Sequence, residues 1–215
     1  MPPPHARAAI DGLVAIDPDF GRVLALAGPL PWRSRSAGFP GLLQAIVGQM
    51  ISNQAAAAIW GRVRAVPDAL HPAGLMTLSD ETLRGMGFSR PKVVHARALA
   101  EAFLSGALET DRLAAMGDDD AIAAIAAVKG MGPWSAEIYL LFALDRLDVF
   151  PAGDIALAAS AMELKKLPDR PGPKALRGLA LQWQPYRSIA ARLLWHYWRY
   201  HTGRPSMDDF GIAPV

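Results

Sequence analysis

Cysteine is absent from the 215-residue chain. That one absence removes disulfide frameworks, thiolate zinc sites, cysteine nucleophiles and cysteine-held iron–sulfur clusters together, and leaves the redox compartment undetermined. Long apolar runs are missing as well. The strongest, Ala121–Val128, is far short of the ~18 residues that a membrane span requires. The amino-terminal MPPPHARAAIDGL lacks the apolar region of a secretory signal. A soluble, cytoplasmic protein is expected. Excess charge is small too, at a net +2 with a pI near 9.1. That balance permits a nucleic-acid partner without demanding one, so any DNA contact needs local groups that hold phosphate. No cluster of histidines and carboxylates suggests a catalytic metal; His95, His196 and His201 are scattered. Period-two alternation is lacking: Leu147-Asp148-Val149-Phe150 comes nearest and is too brief to build a sheet.

What the chain does have is helical spacing. Leu43, Ile46, Val47, Met50, Ile51, Ala55, Ala58 and Ile59 form one stripe, which predicts a helix over 43–63. A second is expected from Pro91 to Phe103, with Val94, Ala98, Leu99 and Ala102 inward and Gly106 ending it. Asp118 caps a third that turns Ile122 and Ile125 inward. Pro133 opens a fourth through about Ala143, Asp154 begins a fifth, and Pro173–Trp183 and Tyr186–His201 supply the last two. Loops fall at Gly85-Met86-Gly87, Gly130-Met131-Gly132, Pro151-Ala152-Gly153 and Pro168–Pro173. The reading is an all-α chain of eight to ten short helices, one domain over residues 1–215 built from two helical lobes.

The hairpin at about 118–143 is the most informative stretch. Two helices meet at a turn with glycines two apart, Gly130 and Gly132, and the second helix begins at once. Its first amides lack intrahelical partners and lie at the positive end of the dipole, so the turn is suited to an anion such as a DNA phosphate. Taken alone, a Gly-x-Gly reads first as the corner of an ordinary αα-hairpin.

The wider pattern resembles a known family. Val128-Lys129-Gly130-Met131-Gly132, followed by Ser135-Ala136, looks like the helix-hairpin-helix motif of the DNA glycosylase superfamily. That superfamily continues with a Gly/Pro-rich loop and an aspartate, here Val149-Phe150-Pro151-Ala152-Gly153-Asp154. Ala45–Ser52 is similar to the DNA-facing helix of the 3-methyladenine DNA glycosylase II branch, and Trp183-Gln184-Pro185-Tyr186-Arg187-Ser188 to its Trp-x-Pro-aromatic-Arg-Ser stretch. The matches cover roughly Phe39 to Tyr200. The branch's bacterial prototype adds an amino-terminal β-rich lobe, for which this chain has no room.

The resemblance implies excision of alkylated purines from double-stranded DNA by a monomeric enzyme associated with the nucleoid. Asp154 would be the catalytic carboxylate; on its residues alone it reads as a helix N-cap, and the two roles are compatible. Bifunctional branches place an attacking lysine where this chain has Trp134, so a monofunctional enzyme without strand cleavage is expected. Absence of cysteine excludes the cluster-bearing branches. Trp134 and Tyr186 would wall the base pocket, with Ile138 where the prototype has a tyrosine. Met50 would fill the gap left by the flipped base, although it also lies on the apolar stripe of its helix. Lys129, Gly130, Met131, Gly132, Gln49, Ser52 and Arg187 are candidate DNA contacts, while Arg90 and Lys92, which could also reach phosphate, read first as solvated charges. The carbonyls of Ala126, Val128 and Met131 would hold a sodium or potassium ion against the phosphate. Two rival readings are a non-catalytic helix-hairpin-helix module that binds only DNA backbone, and a helical adaptor with no nucleic-acid role.

Overall fold

A computed structural model describes residues 2–204. Among them are thirteen α-helices, two short 3-10 turns and no strand. In chain order the helices are α1 (Pro4–Ile16), α2 (Asp19–Ala27), α3 (Phe39–Gly48), α4 (Asn53–Arg64), α5 (Pro72–Thr77), α6 (Asp80–Gly85), α7 (Arg90–Leu104), α8 (Thr110–Ala115), α9 (Asp118–Ala126), α10 (Pro133–Phe142), α11 (Ile155–Lys165), α12 (Pro173–Ala180) and α13 (Arg187–Thr202). None is long and apolar enough to cross a membrane. The chain divides into two compact units, one of residues 2–33 with 145–204 and the other of residues 34–144.

In the first unit α13 packs against α11, α2 and α1. Helix α1 turns Ala6, Ala9, Ile10 and Leu13 inward, the i, i+3, i+4, i+7 steps of an amphipathic helix. A charged knot lies beneath it. Lys165 bridges Asp17 and Asp19, and the Trp183 indole N–H donates to Asp17 at 2.7 Å. Pairing three buried or half-buried charged groups this way avoids the large cost of leaving one alone.

In the second unit α7 packs on α3 and α5, and α3 also meets α10, which pairs with α9 as the hairpin. The Tyr139 hydroxyl accepts the Gly38 N–H at 2.7 Å, fixing the start of α3 against α10. Burial in this setting raises the Tyr139 pKa above its ordinary value.

Several sequence expectations need correction. The single helix over 43–63 is broken: α3 stops at Gly48, residues 49–52 form a turn with Met50 at φ +57°, and α4 starts at Asn53. The inner face of α7 is rotated from the expected one. Val93, Ala96, Leu99 and Ala100 are buried while Val94 is 46% exposed. The N-cap of α9 is Gly117, one residue before Asp118. The helix count also exceeds the expected eight to ten, because α1, α2 and the six-residue α5, α6 and α8 were not anticipated.

Candidate functional site

The hairpin of the second unit is built around one constrained glycine. Gly130 has φ +88°, and a Cβ there would stand 2.0 Å from Cγ of the His95 ring, so both conformation and space call for glycine. The next peptide is fixed at both ends: the Met131 N–H donates to the Val128 carbonyl at 2.9 Å, and the Gly130 carbonyl accepts from Gln49 Nε2 at 3.0 Å. The Met131 side chain is buried and seats the turn in the unit. Gly132 differs. It is the extended N-cap of α10 at φ −117°, and among the described residues nothing beyond its own chain neighbours lies within 4 Å of where its Cβ would be. The face it presents is therefore open to an approaching backbone. Lys129 is exposed beside it.

Neutral, hard carbonyl oxygens at Ala126, Val128 and Met131 are a donor set suited to an alkali cation and unsuited to a transition metal. Val128 retains a second lone pair after accepting the Met131 N–H. The group therefore fits the hairpin. Among the described residues no cluster of three His, Cys, Asp or Glu is placed to hold a metal.

At the turn between α3 and α4, Met50 projects entirely into solvent, 101% exposed. The expected competition with core packing does not arise, because Met50 lies on a turn and not on a helical stripe. Gln49 faces inward: its Nε2 donates to Gly130 and, at 3.1 Å, to the buried Ser135 hydroxyl. Ser52 caps α4 by accepting the Ala55 N–H at 3.2 Å. Lys92 is part-buried and turns its ammonium onto the Val47 carbonyl at 2.7 Å, and this burial lowers its pKa. Arg90 is exposed. Trp134 is half-buried at the second position of α10, whereas Ile138 is only 3% exposed and belongs to the packed face of that helix.

In the first unit, Asp154 is the N-cap of α11. Its Oδ1 accepts the N–H groups of Ala156 at 2.9 Å and Leu157 at 3.0 Å, and the indole N–H of Trp195 at 3.2 Å. Three donors on one oxygen fix the carboxylate plane, and Asp154 remains half-buried. The loop before it is strapped to α13. Ser188 donates its hydroxyl to the Val149 carbonyl at 2.8 Å, and the same oxygen accepts the Val149 N–H at 2.9 Å. Arg187 turns its guanidinium onto Asp148, with Nε–Oδ1 at 2.9 Å and Nη2–Oδ2 at 3.0 Å; this fork secures the same loop. Tyr186, just before α13, lays its ring over Gly12 of α1, where a Cβ would stand 2.5 Å from Cε2.

Two residues of this arrangement escaped sequence reasoning. They are Trp195, which orients Asp154, and His95, which packs against Gly130. Their partners lie 41 and 35 positions away, and nothing in local spacing announces either contact.

Comparison with known proteins gives consistent matches. A family model described as HhH-GPD superfamily base excision DNA repair protein matches residues 43–185. DNA-3-methyladenine glycosylase 1 of Schizosaccharomyces pombe is 29% identical over 190 residues, covering 85% of this chain and 83% of that protein. The solved structure of a 3-methyladenine DNA glycosylase from the same yeast, in complex with abasic DNA, superposes with a TM-score of 0.80 at 27% identity, covering 89% of this chain and 95% of that one. A DNA-3-methyladenine glycosidase from Bacillus halodurans gives a TM-score of 0.76 at 31% identity, covering 93% and 94%.

Proposed function

The chain belongs to the HhH-GPD superfamily of base excision DNA repair proteins, and from that premise we propose that it is a monofunctional DNA glycosylase that releases alkylated purines from damaged duplex DNA. The observation that carries the reading is Asp154, a half-exposed carboxylate held by three N–H donors at the start of α11. Proteins of similar sequence and fold are named for 3-methyladenine excision, and this chain has Trp134 where a strand-cleaving relative carries its lysine.

A purine methylated at N3 or N7 is cationic, so its departure needs little protonation. The bond from C1′ to the base nitrogen breaks, and its electron pair leaves with the purine and neutralises it. The sugar passes through an oxocarbenium-like state that a fixed carboxylate stabilises, and a water adds to C1′ and loses its proton. Asp154 is the group assigned to that stabilisation. Because its orientation is set before the reaction, little reorganisation opposes the developing charge.

The hairpin at Gly130–Gly132, with Lys129 beside it, is assigned to a backbone phosphate. An alkali cation held by the Ala126, Val128 and Met131 carbonyls would add a positive charge there. The base must leave the stack, at roughly a few kcal/mol. Met50 is the apolar side chain assigned to the vacated space, where it offsets part of the lost stacking. Trp134 and Tyr186 are the aromatic surfaces assigned to the cationic base, each worth about 0.5–2 kcal/mol. Association with the nucleoid and action as a monomer belong to the same proposal.

The test is base release from alkylated duplex, wild type against Asp154→Asn. The wild type should release methylpurines and leave an abasic strand that stays intact until treated with hot alkali. Asp154→Asn should bind the same DNA and lose at least ~10²-fold in release, as for removal of a preorganised electrostatic group. Full turnover by Asp154→Asn would refute its assignment. No release by the wild type, from alkylated or deaminated bases, would favour a backbone-binding module.

A further inference from the structure

The turn between α3 and α4 carries a conformational cost. Met50 adopts φ +57°, a left-handed conformation unfavourable for any side chain with a Cβ. Its fully exposed side chain buries nothing to offset this. What fixes the turn lies beside it. Lys92 holds the Val47 carbonyl at the end of α3. Ser52 caps α4 on the other side. Between them, Gln49 reaches across to the hairpin, donating to the Gly130 carbonyl and the Ser135 hydroxyl.

The far end of that link is itself immobilised. Gly130 is held by its own φ of +88° and by the His95 ring that fills its Cβ space. Ser135 is buried in the first turn of α10. Gln49 therefore ties a strained, exposed apolar tip to the most constrained residue of the turn assigned to phosphate. The chemistry suits an amide in particular. The two protons of Nε2 meet two acceptors, a carbonyl and a hydroxyl, whereas a carboxylate of the same shape would bring only acceptors to them.

We propose that Gln49 is a positioning residue which, through its amide, fixes the Met50 tip relative to the Gly130–Gly132 hairpin, so that phosphate anchor and helix probe engage the duplex as one rigid piece. The inference rests on the glycosylase reading given above. It assigns Gln49 away from direct DNA contact. Its contribution is realised only through Met50, because a probe that wags against its anchor loses the benefit of orientation.

The test is a double-mutant cycle on the full chain: wild type, Gln49→Met, Met50→Ala and the double variant. Base release from alkylated duplex, binding to undamaged duplex and melting temperature are measured for each. Methionine keeps the length of the side chain and deletes the amide. In the presence of Met50 this change should lower release roughly tenfold, the size of one to two neutral hydrogen bonds. In the Met50→Ala background the same change should matter less than about twofold, as expected when one residue acts through the other. In each variant the loss in base release should exceed any loss in binding to undamaged duplex, from which no base is flipped.

Gln49→Glu supplies a readout that loss of packing would not move. It should be impaired near neutral pH and recover part of its release, relative to wild type, only as pH falls toward about 4.3, where a protonated carboxyl regains one of the two donors. Equal losses in both backgrounds, or none at all, overturn the inference and leave the glycosylase reading standing. Wild-type protein that releases no base removes both together.

Discussion

Replacing Gly130 and Gly132 by alanine, one at a time, separates what the hairpin needs in order to fold from what it needs in order to hold DNA. At Gly130 the new Cβ would meet three atoms of the His95 ring at 2.0, 2.3 and 2.5 Å. The nearest of these is Cγ, at the root of the ring, so turning the ring about its own axis does not clear the contact. A left-handed residue with a Cβ costs roughly 1–2 kcal/mol, and overpacking adds about 1–3 kcal/mol. The expected loss is about 2–5 kcal/mol, which for a chain of this size lowers the melting temperature by roughly 5–15 °C. At Gly132 the backbone is extended and the Cβ position is empty. Alanine is a poorer N-cap than glycine, but the unfolded chain loses about 0.4–1 kcal/mol of entropy, so the net change should stay within about 1 kcal/mol. Its methyl group instead occupies the space assigned to a phosphate. Losing one charge-assisted hydrogen bond there weakens duplex binding roughly tenfold or more. Thermal melts and fluorescence anisotropy on undamaged duplex, at one fixed salt concentration, read the two effects separately. The reasoning fails if Gly132→Ala melts as early as Gly130→Ala, or if it binds duplex as tightly as the wild type.

Trp195→Phe keeps a ring beside α11 and removes one of the donors to Asp154 Oδ1. Base release should fall roughly three- to tenfold, as for one hydrogen bond to a charged group, with the melting temperature little changed; unaltered release would mean the indole does not orient the carboxylate. Lys165→Met leaves Asp17 buried without its cation, and urea denaturation should show about 3–5 kcal/mol lost. The same substitution bears on acid sensitivity. A hydrogen bond from Lys165, reinforced by its charge and by Arg22, holds the Asp19 carboxyl below its ordinary range against the opposing effect of desolvation. Stability from a lowered carboxyl is complete above its unfolded value, near pH 4, and is lost as pH falls through the folded-state value. Wild-type stability should therefore decline below about pH 4, and Lys165→Met should lack that component of the slope. An identical acid limb in both proteins would count against the pairing.

Parts of this architecture were legible because they depend on neighbours in the chain. Pro133 opens α10 and Asp154 caps α11 as expected, since a fixed φ and a short acceptor act over three or four residues. The break at 49–52 was not legible. Apolar residues continue at helical spacing straight through it, and the turn is held by Gln49 contacts 81 and 86 positions away. The face of α7 was misread by one residue for a related reason: Val93 and Val94 are adjacent and equally apolar, and only the packing of α3 and α5 decides which is buried. Helices α5, α6 and α8 have six residues each, too few turns to display a stripe.

The candidate site divides according to how fully each residue is explained by its own fold. Ser52 caps α4, Ile138 fills the packed face of α10, and the Arg187 fork secures the loop before Asp154. Each of these would be retained by a protein that never met DNA. Met50 and Gly132 are different. Met50 combines an unfavourable backbone with a side chain that buries nothing. Gly132 is a glycine where neither φ nor crowding asks for one. A strained exposed apolar tip does not improve stability, and a glycine N-cap leaves its outer face open, so both suit the proposed approach of DNA from outside. In the proposed function a duplex supplies a use for both, a phosphate for the open glycine and a vacated base position for the tip. Asp154 stands between the two groups. As an N-cap it would satisfy the helix with two backbone donors, yet it takes a third from Trp195, 41 residues on. Capping does not require that extra bond. Holding a carboxylate in one orientation does, and this is why the excision chemistry is assigned to Asp154 rather than to any other carboxylate of the fold.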